Sequence, residues 1–110
     1  MRSEGIYEMQ SQLCKVMGHP ARLKIVYILR DGPLPVNKLA EGAGLIQATL
    51  SRHLSALRQV GLVTARQQGP KHIYQLSDPK IGLICDLMRK VLVEQLTHQA
   101  EMTGWFPELP

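Results

Sequence analysis

Long hydrophobic runs are missing from this chain: no apolar stretch approaches the roughly 18 residues that would cross a bilayer, so no membrane partner is expected. The first ten residues, MRSEGIYEMQ, hold no apolar segment of the kind that marks a secretion signal. Cysteine is scarce, with Cys14 and Cys85 only. Two distant thiols are no disulfide framework, and a cytoplasmic location is expected. Catalytic patterns are missing as well. There is no glycine-rich phosphate loop, no His/Cys constellation at catalytic spacing and no pair of carboxylates in an apparent pocket, so an enzyme is not expected.

One further absence is local. Between Gly42 and Ser77 there is no Asp or Glu, while Arg52, Arg58, Arg66 and Lys71 lie inside the same window, with His53 and His72. The 13 Lys and Arg of the whole chain less these four leaves nine, which the 9 Asp and Glu balance. The formal excess of +4 therefore sits entirely in that window. A concentrated basic window is the electrostatic footprint of a surface that binds a polyanion.

With 110 residues and no repeat, linker or low-complexity tract, the chain reads as a single domain, 1–110, with 102–110 a proline- and aromatic-rich tail. Apolar periodicity predicts a first helix from Ile6 to Met17, with Ile6, Leu13, Cys14 and Met17 on one stripe. Gly18 ends it, and Pro20 suits the first turn of a second helix that runs to Leu29 or Arg30. Asp31-Gly32-Pro33 stops that helix, and Val36 to Ala43 makes a short third one. After Gly44, a fourth helix carries Leu50, Leu54 and Leu57 on its inner stripe and ends near Val60-Gly61. Ala48, Ser51, Arg52, Ser55 and Gln59 fall on its other side. Two β-rich runs around Gln67-Gln68-Gly69-Pro70-Lys71 read as a hairpin. Asp78 then caps a long helix with Pro79 in its first turn and an apolar stripe of Ile81, Ile84, Cys85, Met88, Val91, Leu92 and Leu96.

A short helix, a glycine turn, an amphipathic helix with an acid-free polar face and a basic hairpin form a winged helix-turn-helix pattern, mainly α with a β-hairpin wing. The outer face of the second helix in such a pair enters the major groove of double-stranded DNA. Gln47, Thr49, Ser51 and Arg52 are the residues expected to meet it, and Arg52 suits either bidentate contact with guanine or a phosphate clamp. His53 lies on the flank, where core-edge packing and a phosphate contact are both open. In the wing, Arg66, Gln67, Gln68, Lys71 and His72 are candidates for the DNA backbone or minor groove, against the alternative of a solvated hairpin tip. Winged helices also serve as docking modules, and a protein-interaction domain without an effector site is the alternative function.

MGHPARLKIVYIL (Met17 to Leu29), ATLSRHLSALRQVGLV (Ala48 to Val63) and ARQQGPKHIYQLSD (Ala65 to Asp78) resemble, in this order, the ArsR/SmtB winged-helix transcriptional repressors. The resemblance implies a homodimer built from the first and last helices, an inverted-repeat operator, and release of DNA when an inducer, often a metal ion, binds. Two features depart from the family. Ala48 stands where many relatives carry serine. The family's metal ligands are also missing: VNKLAEGAG has no Cys-x-Cys, and the positions matching the last-helix site are Asp78, Lys80, Val91 and Glu94. Lysine and valine do not ligate zinc at neutral pH, so no metal cofactor of the familiar kind is expected.

Because the resemblance places the first and last helices together at the dimer interface, Cys14 and Cys85 become the effector candidates. Inert packing is one reading. In the other, their oxidation rearranges the dimer and shifts its reading heads, or a thiophilic ion such as As(III) bridges them. Glu94, His98 and Glu101 recur at helical spacing and are read as exposed charges rather than ligands, and His19, before Pro20, as a structural hydrogen-bonding residue.

Overall fold

The computed structural model describes residues 3–104. Five helices and three strands follow one another as α1 (Ser3–Met17), α2 (Pro20–Leu29), β1 (Leu34–Pro35), α3 (Val36–Ala43), α4 (Gln47–Gln59), β2 (Val63–Gln68), β3 (Lys71–Leu76) and α5 (Lys80–Thr103). Local chemistry sets the boundaries. At the start of α2, His19 is extended and its Nδ1 accepts the Ala21 N–H at 3.2 Å, satisfying one of the free donors of the first turn. Gly44 ends α3 at φ 68°, and its N–H bonds back to Ala40 and Glu41. That left-handed step turns the chain sharply enough to set α4 against α3, and an L side chain there would be strained. Asp78 Oδ1 accepts the Lys80 N–H at 2.8 Å, the contact expected of a capping carboxylate, although the helix proper begins one residue later than its sequence suggests.

The core gathers Ile25, Val26 and Leu29 from α2, Leu39 and Ala43 from α3, and Leu50, Leu54 and Leu57 from α4, closed by Leu62 and Val63. The three α4 leucines are at most 1% exposed. At roughly 1.5–3 kcal/mol for each fully buried leucine, they anchor the helix by its inner stripe and leave the other side to solvent.

The sheet has the order β1-β3-β2, antiparallel throughout, so β3 is central and β2 is an edge. Gln68 pairs with Lys71, which leaves Gly69-Pro70 as a two-residue hairpin loop, with Gly69 at φ 59° where tight hairpin turns demand a positive φ. The hairpin tip is thus two residues rather than five. Strand β1 was not legible beforehand. It is two residues long, includes a proline, and exists only because Leu34 and Pro35 lie opposite Tyr74 and Ile73.

Helices α1 and α5 depart from expectation. The stripe Ile6, Leu13, Cys14 and Met17 closes only in part against the core, through Leu13 and Met17. Ile6 and Cys14 are exposed, Leu13 and Met17 half-buried, and the buried residue of α1 is Val16. Along α5 only Gly82 and Ala100 are buried, while Ile84, Met88, Val91 and Leu92 stand at least 53% exposed beside Leu83 and Leu87. The cause is reach. Twenty-four helical residues extend about 36 Å, beyond the core that could cover them. The radius of gyration, 16.3 Å, exceeds the roughly 13 Å of a compact domain of this size.

A cation–π stack joins α5 to the core. Tyr27 lies between the guanidinium groups of Arg30, 4.2 Å from its ring centre, and Arg89, at 4.1 Å. Arg30 also pairs with Asp86 of α5. This bond is the main reason its pKa stands above the ordinary value. Residues from Trp105 onward, including Trp105-Phe106 of the tail, lie outside the described residues; Met102 and Thr103, assigned to the tail by sequence, still belong to α5.

Candidate nucleic-acid interface

Helix α4 follows the turn at Gly44 and presents Gln47, Ala48, Ser51, Arg52, Ser55, Arg58 and Gln59 to solvent. Thr49 is half-buried and stands back from that set. Ser55 and Gln59 complete the outer face one and two turns beyond Arg52, a continuation that the helical period alone makes visible.

The absence of carboxylates from Gly42 to Ser77, rather than the pairing of charges, separates this surface from the rest of the molecule. The ion pairs among the described residues join Arg30 to Asp31 and Asp86, Lys38 to Glu41, and Lys80 to Asp78, all outside the acid-free window. Arg52, Arg58, Arg66 and Lys71 have no carboxylate partner among the described residues. Each is exposed. Four unneutralised cations on one helix and the adjoining hairpin form a positive surface that keeps its charge for an external anion.

The register of the wing sorts its candidates. Arg66 lies opposite Ile73 and Gln68 opposite Lys71, while Gln67 pairs with His72. Side chains of facing residues share a side of the sheet and successive residues alternate. Arg66, Gln68 and Lys71 therefore project together, and His72 projects from the opposite side with Gln67. Gln67 Nε2 also donates to the Gly69 carbonyl at 3.3 Å, bracing the tip.

His53 is not part of the outward set. It is half-buried, its Nδ1 accepts from Arg22 Nε at 3.2 Å, and its ring centre lies 4.7 Å from that of His19. Burial, followed by the charges of His19, Arg22 and Arg52, holds its pKa below the ordinary imidazole value. Of the two roles left open by the sequence, this geometry favours core-edge packing: the flank of α4 on which His53 sits faces α2. His19, read as structural, makes the capping hydrogen bond already described.

Both thiols are free. Cys14 is exposed in a shallow depression beside Tyr7, Gln10, Ser11 and Lys15. Cys85 is half-buried in a groove of about 310 Å³ between α2 and α5, with Leu23, Tyr27, Met88, Arg89 and Leu92. The two line separate depressions. Burial pushes the Cys85 thiol up, Asp86 adds to the effect and Arg89 opposes it, so at neutral pH this sulfur is the protonated, less reactive form.

The residues at the family's last-helix metal position do not fit an ion. Lys80 Nζ bonds the Asp78 carboxylate at 2.8 Å and so takes the place a cation would occupy. Among the described residues no three of His, Cys, Asp and Glu come together in a way that could hold a metal. Glu94, His98 and Glu101 are exposed along α5. No helix among the described residues is long and apolar enough to cross a membrane.

A trihelical core with α3 and α4 joined by a tight turn, a two-stranded wing and a cationic outer face define a winged helix-turn-helix DNA-binding protein. Residues 19–65 match the model for the bacterial regulatory proteins of the arsR family. The chain is 35% identical over 100 residues to the uncharacterized HTH-type transcriptional regulator Rv0081 of Mycobacterium tuberculosis, covering 90% of this chain and 88% of that one. It is 41% identical over 71 residues to the arsenical resistance operon repressor of Staphylococcus xylosus, 64% of this chain and 68% of that protein. The crystal structure of Rv0081 superposes with a TM-score of 0.80 at 33% identity, over 89% of this chain and 99% of that one. The solution structure of the homodimeric winged helix-turn-helix DNA-binding domain of Mb0332 from Mycobacterium bovis gives 0.81 at 28% identity, over 88% and 90%. This chain belongs to the ArsR family of helix-turn-helix transcriptional regulators. Its relatives are regulators rather than enzymes, in keeping with the non-catalytic reading of the sequence.

Proposed function

We propose that the chain is a homodimeric repressor that reads an inverted-repeat operator with α4 and anchors itself on phosphates with the wing. The observation that carries this reading is the set of four exposed cations, Arg52, Arg58, Arg66 and Lys71, on α4 and the hairpin, in a segment that holds no Asp or Glu. Gln47, Ser51 and Arg52 are assigned to base edges, with Thr49 at the margin; Arg66, Gln68 and Lys71 are assigned to the backbone, with His72 reaching it from the other side of the wing. The exposed apolar sides of α1 and α5 supply a surface for a second copy of the chain, and the relative Mb0332 is homodimeric. A twofold axis through such a dimer carries two reading helices to half-sites spaced by whole turns of DNA.

The effector response is assigned to Cys14 and Cys85. The exposed Cys14 is the sulfur an oxidant reaches first.

Salt titration of the full chain on a duplex recovered from a randomised pool tests the DNA reading. Eight cations in a dimer set an upper limit near −7 for the slope of log affinity against log salt. A slope near zero, or failure to enrich any sequence, overturns the proposal in favour of a docking module.

A further inference from the structure

The leucine stripe that holds α4 is strong but not directional, since apolar contact constrains the rotation and slide of a helix less sharply than a hydrogen bond. Among the described residues, only one hydrogen bond joins a side chain of α4 to another element: Arg22 Nε to His53 Nδ1, at 3.2 Å. The same guanidinium donates from Nη1 to the Val16 carbonyl at 3.3 Å. Val16 is the penultimate residue of α1, so its carbonyl is one of those a helix end leaves without an intrahelical partner. One planar side chain on α2 thus ties the end of α1 to the flank of α4, one residue from Arg52.

We infer that Arg22 is a positioning residue for DNA reading: by bonding His53 and the Val16 carbonyl at once, it fixes the rotation at which α4 presents Gln47, Ser51 and Arg52. The inference rests on the DNA reading proposed above. His53 takes part as an acceptor through Nδ1, so the neutral ring carries its proton on Nε2. Protonation removes that acceptor and sets an imidazolium against its neighbours. Those neighbours are His19 at the α1–α2 corner, Arg22 on α2 and Arg52 on α4 itself, none of which is an acid. The tie therefore opens in mild acid, and α4 loses its directional restraint while its leucines remain buried.

The test uses the full chain and a duplex selected by the wild-type protein from a randomised pool. At about pH 7.5, Arg22→Met is expected to weaken binding about tenfold, the equivalent of one lost hydrogen bond of ordinary strength. His53→Gln keeps an acceptor that cannot be protonated and is expected to bind within about threefold of wild type. As the pH falls below the ordinary imidazole range, the wild type is expected to lose affinity progressively relative to His53→Gln measured in the same buffer, approaching at its limit the tenfold loss of Arg22→Met. Taking the ratio cancels the general gain in affinity that protonated histidines give near phosphate. Equal binding by wild type and Arg22→Met, or a ratio that stays flat with pH, overturns the inference while leaving DNA binding intact. A wild-type protein that enriches no sequence overturns the DNA reading itself. Should Arg22→Met fail to fold, the pH ratio between wild type and His53→Gln still decides.

Discussion

Leu87→Glu is the sharpest probe of how two chains meet. Leu87 is 64% exposed, its neighbours on α5 include Ile84 at 53% and Val91 at 54%, and it makes no part of the core cluster. Complete burial of a leucine is worth roughly 1.5–3 kcal/mol. With about two thirds of that burial still to come, docking against a partner would add about 1–2 kcal/mol per copy. Twofold symmetry counts the residue twice, so the substitution removes about 2–4 kcal/mol and raises the dimer dissociation constant about thirty- to thousandfold. Sedimentation velocity over a concentration series reads the shift, and far-ultraviolet circular dichroism should stay unchanged because the core is untouched. A Leu87→Glu protein that dimerises at wild-type concentrations would refute the assignment of α5 to the interface.

Four other outcomes follow from the geometry. Arg52→Ala should cost about 1–3 kcal/mol on the selected duplex and relax discrimination at one position if Arg52 reads a base, whereas uniform weakening on all sequences, measured by competition binding, would make it a phosphate contact. Gly82→Ala gains about 1 kcal/mol of helix propensity, but the new Cβ would sit 2.9 Å from Arg30 Cγ. Displacing Arg30 from Asp86 and Tyr27 should outweigh the gain by about 1 kcal/mol, and a higher melting temperature would show that Arg30 gives way freely. Because the folded protein holds the His53 pKa below its unfolded value, the stability it contributes is complete above about pH 6.5 and is lost as pH falls through the folded pKa. Denaturant midpoints of wild type and His53→Gln should therefore diverge in mild acid, and parallel curves would count against the shift. Peroxide treatment should change operator affinity of the wild type and leave Cys14→Ser and Cys85→Ser unaffected; equal responses in all three proteins would make both sulfurs packing residues.

The reading unit was legible in the sequence because its signals are local. Leu50, Leu54 and Leu57 fall on one stripe, Gly44 forces a turn, and acidic residues are missing over the whole α4–wing segment. Strand β1 was not, since two residues acquire strand character only from Tyr74 and Ile73 opposite them. The stripes of α1 and α5 were seen, but periodicity reports that an apolar side exists and not what covers it; Ile6, Cys14 and Met88 turn out to be uncovered within one chain. His53 shows the same limit in polar form. Its position on the helical wheel was ambiguous, and the deciding partner, Arg22, lies 31 residues away.

The edge position of β2 carries a consequence for solubility. From Val63 to Gln68 one side of this strand has no neighbour in the sheet among the described residues, a row of backbone donors and acceptors to which another extended segment could add. Arg66 stands exposed near its middle, so two such edges repel while DNA is absent. The charge we assign to phosphate in one state deters strand-to-strand aggregation in the other. An apolar substitution such as Arg66→Val would remove both effects together, and precipitating protein would then pass for protein unable to bind DNA; Arg66→Ser, which keeps the edge polar, separates the two.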